Sequence, residues 1–158
     1  MLSEQILNIF KEKKITLSTA ESCTGGSIAG YLTSISGCSV YFQGSVVSYS
    51  NRIKNEVLAV DNELLTTYGA VSKEVVEAMA KGVIKLMKTD YSIAVSGIAG
   101  PTGGTKEKPV GTVHVAIGKS DSTTLHKLLS LKGDRNKIVK QTIEKACELL
   151  LQCISNNQ

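Results

Sequence analysis

Apolar residues recur along this chain in two alternating patterns. A spacing of three or four positions, typical of amphipathic helices, marks segments near residues 2–10, 27–36, 72–87 and 135–150. Shorter helices are expected near 51–58 and 61–67, with Asp61 and Ser72 as helix N-caps. Segments rich in β-branched or aromatic residues predict strands near 15–20, 40–50, 91–96, 110–118 and 123–131. Helices interleaved with strands, with a hairpin near the end, predict one α/β domain over residues 1–158 with a mixed sheet.

Two glycine-rich segments follow predicted strands. The first, residues 19–26, joins a strand to a helix, and such a turn points backbone N–H groups at whatever lies in front of it. The second, residues 97–111, holds five of the fourteen glycines and both prolines, and long irregular loops in compact domains are usually functional. Neither segment matches a Walker A or a dinucleotide-binding motif. Together they indicate a small substrate that carries a phosphate.

The first turn contains two candidate nucleophiles, Ser22 and Cys23. An alternative is that Ser22 or Thr24 only caps the following helix. A cysteine nucleophile is normally activated by a histidine, but His114 and His126 both fall within strand patterns. No G-x-S-x-G motif is present, so a Ser-His-Asp arrangement is poorly supported.

A lysine distant in sequence could deprotonate the serine instead. Such a lysine must be neutral, which burial or a neighbouring cation achieves by lowering its pKa. Lys54, after the strand at 40–50, and Lys108, in the long loop, are the candidates, although most lysines are solvated surface groups. Arg135, at the start of the last helix, could clamp a phosphate or carboxylate. Its alternative is a surface ion pair with Asp134 or Glu144.

Composition narrows the class of protein. The net charge is +4, but basic and acidic residues are interspersed, and with 4% aromatic residues and no tryptophan there is no platform for stacking bases. We therefore expect no nucleic-acid partner. No apolar run is long enough to span a membrane and no signal-peptide pattern opens the chain, which favours a cytoplasmic protein. The four cysteines form no C-x-x-C pair and only two histidines are present, so we expect free thiols and no metal site.

Several segments together resemble one known family, the CinA C-terminal domain of the competence/damage-inducible proteins. They occur in the family's order: Thr19–Gly26, Val46–Asn51 followed by Lys54, Gly69–Ser72, Ser96–Pro101 followed by Gly103 and Gly104, Lys108–Val113, and Gly133–Arg135. Stand-alone members of this family are nicotinamide-nucleotide amidases. The resemblance implies a three-layer α/β/α sandwich with a mixed, mostly parallel sheet. It also implies a homodimer or higher homo-oligomer that converts nicotinamide mononucleotide to nicotinic acid mononucleotide and ammonia without a cofactor.

The resemblance also assigns roles to residues. Ser22 is expected to be the nucleophile, Lys54 the general base and later the acid, Tyr49 a residue that relays or orients the proton, and Arg135 a cation that lowers the lysine pKa or positions substrate. Backbone N–H groups of residues 22–26 are expected to stabilise the oxyanion. The 5′-phosphate is expected near residues 102–105. The full expected substrate-binding set is Glu21, Cys23, Thr24, Gly25, Gly26, Gly100, Thr102, Gly103, Gly104 and Thr105.

Two other functions stay open at this point. One is a non-catalytic nucleotide-binding module in competence or DNA-damage responses, and the other is a cysteine amidase that uses Cys23.

Longer family members carry an additional N-terminal domain with its own pyrophosphatase activity. A chain of 158 residues has no room for that domain, so the activity is not expected here.

Overall fold

The structure, a computed structural model, describes residues 1–156 and contains alternating helices and strands. The helices are α1 (Leu2–Lys13), α2 (Ser27–Thr33), α3 (Asn51–Leu58), α4 (Asn62–Tyr68), α5 (Lys73–Met87) and α6 (Arg135–Ser155). The strands are β1 (Leu17–Glu21), β2 (Phe42–Val47), β3 (Tyr91–Gly97), β4 (Thr112–Lys119) and β5 (Thr124–Ser130). The predicted N-caps are confirmed, because the side chains of Asp61 and Ser72 accept hydrogen bonds from the first turns of α4 and α5.

One five-stranded sheet carries the fold, with strand order β2-β1-β3-β4-β5. β1 pairs in parallel with β2 and β3, whereas β4 pairs antiparallel with β3 and β5. Four of the five strands described here therefore run in one direction, which confirms the mixed, mostly parallel sheet. Glu21 is in register with Val47 and Val95, so β1, β2 and β3 end side by side. Ligands of open α/β sheets bind at such an edge.

Each face of the sheet packs against helices, which confirms the three-layer sandwich. On one face, α1, α2 and α6 pack against the sheet. The buried apolar side chains of this layer come from the helices (Ile6, Phe10, Ile28 and Ile138) and from the strands (Leu17, Ile93 and Val115). On the other face, α5 with α3 and α4 packs on the small residues Ala20, Ala94 and Ala116. The small residues let α5 lie close to the strands. β1 is buried along its whole length, and its last residue therefore enters the site from a fixed position.

The segment predicted as a strand over 40–50 is shorter in the structure. Residues Cys38–Val40 form a 3-10 turn that follows Gly37 at a φ of 90°, and β2 begins only at Phe42. At the other end, the Ser50 hydroxyl accepts a hydrogen bond from the Ile53 amide and caps α3. The hydrogen bond that caps α3 therefore ends the strand before Tyr49. As a result Tyr49 lies in the β2–α3 loop rather than in the strand.

Two further boundaries bear on the prediction. The helix expected to reach Ser36 ends at Thr33. The loop predicted over residues 97–111 is confirmed, because residues 98–111 form neither a helix nor a strand. Within residues 1–156, no helix combines the length and apolar character needed to cross a bilayer.

Candidate active site

Ser22 and Lys54 meet at the edge where the parallel strands end. The Lys54 Nζ donates a hydrogen bond to the Ser22 Oγ at 3.0 Å and a second to the Ser48 carbonyl oxygen at 2.7 Å. Ser22 follows β1 directly, and the Ser48 amide donates to the Glu21 carbonyl at 2.8 Å, which continues the β1–β2 pairing beyond the strands. The Ser50 cap then starts α3 so that Lys54 points back toward β1. Two residues 32 positions apart are thus brought into contact.

The environment of Lys54 favours its neutral form. Its side chain is 1% exposed, and burial lowers the pKa of the amine below its ordinary value. The ion pairs formed by residues 1–156 do not include Lys54. The neighbouring Cys23 thiol opposes this shift, but as a smaller effect than burial. A neutral amine in contact with a serine hydroxyl can accept its proton, which is the requirement for a serine–lysine pair.

The turn after Ser22 offers fewer free amides than its sequence suggested. The Ser22 amide donates to the Val95 carbonyl and the Gly25 amide donates to the Ser22 carbonyl, both at 3.1 Å. The Cys23 amide lies against its own thiol. In the part of the chain that is described, the amides of Thr24 and Gly26 have no acceptor. Of the expected oxyanion donors, Ser22 and Gly25 are therefore already occupied.

Glu21 lies beneath this turn rather than in front of it. Its carboxylate is fully buried. The Oε1 atom accepts from the Thr24 hydroxyl at 2.7 Å and from the Ile28 amide at 2.9 Å, and the Oε2 atom accepts from the Ala29 amide at 2.9 Å. These charge-assisted bonds satisfy the first amides of α2, where a negative charge is favoured by the helix dipole. Glu21 and Thr24, both expected to bind substrate, face away from the cleft and hold the turn.

This capping role was missed from the sequence, although a signal was present. The N-cap of α2 is Gly26, which has no side chain with which to satisfy the helix amides. Another residue must do so, and an acidic residue shortly before the glycines is the natural candidate. The Glu21 carboxylate fills that need from the preceding strand.

A cleft of about 290 Å³ opens in front of Ser22. Its lining combines residues from the three neighbouring loops and the start of α6: Ser22, Cys23, Tyr49, Gly97, Ile98, Ala99, Gly100, Thr102, Gly103 and Arg135. This volume lies near the lower end of the roughly 300–1,000 Å³ typical of small-molecule pockets. Gly97, Ile98 and Ala99 were not singled out as binding residues, though Gly97 ends β3 and the other two directly follow it, at the same edge as Ser22.

Besides Glu21 and Thr24, four more of the expected substrate-binding residues do not line this cleft: Gly25, Gly26, Gly104 and Thr105. Gly25 and Gly26 continue the turn toward α2, and Gly104 packs against Val110 so closely that a Cβ there would lie 2.7 Å from the Val110 amide nitrogen. Thr105 closes a local turn, in which its amide donates to the Lys108 carbonyl. The cleft therefore meets the long loop at residues 97–103 rather than at 104 and 105.

Arg135 joins two walls of the cleft. Its Nη1 atom donates to the Gly100 carbonyl at 2.7 Å, and its Nη2 atom donates to the Tyr49 hydroxyl at 2.9 Å. Neither Asp134 nor Glu144 forms an ion pair with it, and Asp134 instead caps α6 by accepting from the Lys137 amide. The expected alternative of a surface ion pair is therefore wrong. The guanidinium is held at the cleft by neutral oxygen atoms, and the ion pairs formed by residues 1–156 do not include it.

The remaining candidate bases and nucleophiles are poorly suited to this site. Lys108 lies outside the cleft and donates to the Tyr68 carbonyl at 2.9 Å. His114 and His126 hydrogen-bond to each other at 2.8 Å on β4 and β5, and burial together with the neighbouring His126 lowers the pKa of His114 to about 4. Cys23 lines the cleft, but burial raises the pKa of its thiol to about 11, so it is protonated at neutral pH. Among residues 1–156, no group of three metal-ligating side chains comes together.

The chain is similar over nearly its whole length to proteins of known sequence and structure. It is 41% identical over 156 residues to the nicotinamide-nucleotide amidohydrolase PncC of Escherichia coli K12, which covers 99% of this chain and 94% of that protein. It is 51% identical over 139 residues to a CinA-like protein of Endomicrobium trichonymphae, which covers 88% of this chain and 32% of that protein. The chain thus spans about a third of the length of several curated relatives that it matches.

Solved structures give the same result. The competence/damage-inducible protein CihA of Agrobacterium tumefaciens superposes with a TM-score of 0.94 at 41% identity, covering 99% of this chain and 94% of that one. The competence damage-inducible protein A of Klebsiella pneumoniae superposes with a TM-score of 0.95 at 33% identity, covering 99% and 97%. Residues 1–154 match the family described as the CinA C-terminal domain. This protein therefore belongs to the CinA C-terminal domain family, as its sequence motifs suggested.

Proposed function

We propose that this protein hydrolyses the carboxamide of nicotinamide mononucleotide, giving nicotinic acid mononucleotide and ammonia, with Ser22 as the nucleophile. The observation that carries the proposal is the 3.0 Å contact between the Ser22 Oγ and the Nζ of Lys54, a buried lysine without an ion-pair partner among the described residues. The relative from Escherichia coli named for this activity, which aligns over nearly the whole chain, supports the same substrate class.

The proposed reaction has two halves. In the first, neutral Lys54 takes the proton of the Ser22 hydroxyl while the Oγ atom attacks the carboxamide carbon. The oxyanion that forms is proposed to take hydrogen bonds from backbone amides of residues 22–26. Of these, the amides of Thr24 and Gly26 have no acceptor in the described part of the chain, although neither residue lines the cleft. The Lys54 ammonium then passes its proton to the amide nitrogen, the C–N bond breaks, and ammonia leaves an ester on Ser22. In the second half, Lys54 takes a proton from water and the resulting hydroxide attacks the ester carbon. The Lys54 ammonium then returns this proton to the Ser22 Oγ as the C–O bond breaks, which regenerates Ser22 and neutral Lys54 and releases nicotinic acid mononucleotide.

Arg135 and Tyr49 are proposed to position the substrate. Of the two roles considered for Arg135, positioning is favoured because burial is the main cause of the lowered pKa of Lys54 and the guanidinium is not among the contributors. The Gly100 carbonyl and the Tyr49 hydroxyl orient the guanidinium into the cleft. We place the 5′-phosphate near this cation and the exposed residues Thr102 and Gly103. The apolar Ile98 and Ala99 are then left for the pyridine ring.

The setting of the reaction is also part of the proposal. We place it in the cytoplasm, in the recycling of pyridine nucleotides, since none of the four cysteines forms a disulfide bond in the described part of the chain, as is usual in a reducing compartment. We further propose a homodimer or higher homo-oligomer. Both outer strands of the sheet carry exposed apolar side chains, Val47 on β2 and Leu128 on β5, which favours contacts between chains. Light scattering of the purified protein measures the assembly directly.

The deciding experiment measures ammonia released from nicotinamide mononucleotide by the purified protein. We expect Ser22→Ala to lower kcat by at least about 10³-fold, because the nucleophile is lost. Ser27→Ala is the matched control, since Ser27 is an exposed serine at the start of α2, just beyond the same turn. Full activity in Ser22→Ala contradicts the proposal. Binding of the mononucleotide without turnover by the unaltered protein supports the non-catalytic module instead.

A further inference from the structure

The Ser48 side chain is an unexplained polar group beside Lys54. Ser48 is fully buried, and its hydroxyl has no hydrogen-bond partner among residues 1–156. Both backbone groups of the same residue are engaged: its amide donates to the Glu21 carbonyl and its carbonyl accepts from the Lys54 Nζ at 2.7 Å. Buried hydroxyls are nearly always paired, because leaving one unpaired costs free energy. A hydrogen-bond partner that this structure does not show is therefore expected for the Ser48 hydroxyl.

Protonated Lys54 lacks an acceptor for one of its N–H groups. A lysine ammonium carries three N–H donors, and the Nζ atom makes two hydrogen bonds with described residues, to the Ser22 Oγ and to the Ser48 carbonyl. For a neutral amine to act as the base, the contact with Ser22 must reverse, so that the Ser22 hydroxyl donates to the Nζ lone pair while one N–H stays on the Ser48 carbonyl. When Lys54 takes the proton of Ser22, its charge must be solvated in a site from which water is largely excluded, and one N–H still lacks an acceptor.

We infer that the Ser48 hydroxyl accepts this remaining N–H of Lys54 during the reaction and so positions the protonated lysine for proton transfer. The inference rests on the proposed function. The contact requires only that rotation about the Cα–Cβ bond of Ser48 turn its hydroxyl toward the amine, which the carbonyl of the same residue already binds at 2.7 Å. The Ser48 proton itself stays on the hydroxyl, so the balance of the reaction is unchanged: one proton passes from Ser22 to Lys54 and then to the leaving nitrogen.

The other charged or titratable groups near Lys54 do not supply this acceptor. Cys23 is a protonated thiol at neutral pH, and Arg135 is a cation. The carboxylate of Glu21 is already occupied by donors from Thr24 and from the start of α2. Ser48 is thus the unused acceptor that the described residues place beside the amine.

The test compares Ser48→Ala with Ser48→Cys and with the control Ser3→Ala. Ser3 in α1 is likewise fully buried with an unpaired hydroxyl, but it is remote from the site, so its removal has the same effect on packing alone. Ser48→Cys fills the space of the hydroxyl with a weak acceptor, so it distinguishes the effect of losing the hydrogen bond from the effect of leaving a cavity. Thermal unfolding confirms that each variant folds.

Two readouts are taken from each variant. The first is the pH dependence of kcat/KM for nicotinamide mononucleotide, and the second is the titration of the Lys54 Cε resonance in ¹³C-lysine-labelled protein, assigned by its loss in Lys54→Met. Because the Ser48 hydroxyl stabilises the ammonium, both Ser48 variants are expected to lower the pKa of Lys54 by about one unit. The acidic limb of the pH profile of kcat/KM shifts to lower pH by the same amount. kcat falls about tenfold, with KM unchanged. Ser3→Ala changes none of these.

The outcomes separate the inference from the proposed function. An unchanged Lys54 titration in both Ser48 variants overturns the inference, whether or not the protein is active. An equal shift in Ser3→Ala also overturns it. If the resonance shifts as expected but the unaltered protein releases no ammonia, the contact between Ser48 and Lys54 is supported and the proposed function is contradicted.

Discussion

The Arg135 guanidinium donates to the Tyr49 hydroxyl at 2.9 Å and links the start of α6 to the β2–α3 loop across the cleft. Tyr49 is 61% exposed, so this contact is made at the mouth of the site rather than in its interior. The second bond of Arg135, to the Gly100 carbonyl, fixes the guanidinium independently of the tyrosine. The two residues are therefore expected to respond differently to substitution.

Arg135→Ala is expected to raise KM for the mononucleotide by at least about tenfold, because a charge-assisted contact to the anionic substrate is lost. Tyr49→Phe retains Arg135 on Gly100 and is expected to change KM by less than Arg135→Ala does. Arg135→Lys restores the charge but not both bonds, and a partial recovery is expected. Steady-state kinetics on the three variants distinguish these effects. Equal KM values in Arg135→Ala and the unaltered protein contradict a positioning role.

The pH dependence of activity reports on Lys54. Burial lowers the pKa of this amine, and the proposed reaction requires its neutral form, so kcat/KM is expected to rise as the pH rises through that pKa. The rise should occur at lower pH than an exposed lysine allows. Lys54→Ala is expected to lower kcat by roughly 10²–10⁴-fold and to remove this limb from the profile. A profile that stays the same in Lys54→Ala shows that another group is the base.

Glu21→Gln tests the support beneath Ser22, the proposed nucleophile. Both carboxylate oxygens accept from backbone amides of α2, so the NH₂ group of a glutamine must face one of these donors. We expect a loss of about 1–3 kcal/mol in the free energy of unfolding, measured with urea, together with lower kcat. Glu63→Gln is the control, since Glu63 is exposed at the start of α4. Equal stability of the two variants contradicts the capping role.

Cys23 is expected to be dispensable as a nucleophile. Its thiol has a pKa of about 11 because it is buried, and it stays protonated while Lys54 contacts Ser22 instead. Cys23→Ser should retain most of the activity, measured as ammonia release. A loss as large as that of Ser22→Ala indicates the cysteine amidase that the sequence left open.

Gly82 marks the closest approach of α5 to α3. A Cβ at this position collides with the Leu58 carbonyl, whereas a Cβ at Gly30 in α2 has nothing within 4 Å. Alanine is preferred to glycine in helices by roughly 1 kcal/mol, so Gly30→Ala is expected to stabilise the protein by up to that amount. Gly82→Ala is expected to destabilise it by about 1–3 kcal/mol through overpacking. Urea unfolding of both variants gives the comparison, and equal shifts contradict this packing.

The fold was largely predictable because its local signals agree with its packing. Asp61 and Ser72 cap the helices that their sequence positions suggested, and apolar periodicity located the main helices and strands. Tyr49 shows where this reasoning ends. Its β-forming neighbours predicted a strand, but the Ser50 cap and the start of α3 set the end of β2 before it. Such competition between adjacent elements depends on hydrogen bonds that periodicity does not record.

The sequence motifs and the family resemblance group the residues of the candidate site, but they do not give its geometry. The motifs named Ser22, Tyr49, Lys54 and Arg135, which all lie at one sheet edge in the structure. The direction of each side chain could not be read from sequence. Glu21 and Ser22 are adjacent, yet one points beneath the turn and the other toward the cleft, because successive residues of a strand face opposite sides.

The reversed direction of β4 has a consequence for how this family can vary. Because β4 returns antiparallel beside β3, residues 98–111 need no crossover helix, and they leave and re-enter the sheet at one point. Paired hydrogen bonds between Ile98 and its partners Thr112 and Gly111 close the base of this loop. Surface loops tolerate insertions and deletions far better than the elements they connect. One wall of the cleft can therefore evolve new ligand preferences while the sheet and the Ser22–Lys54 pair stay intact.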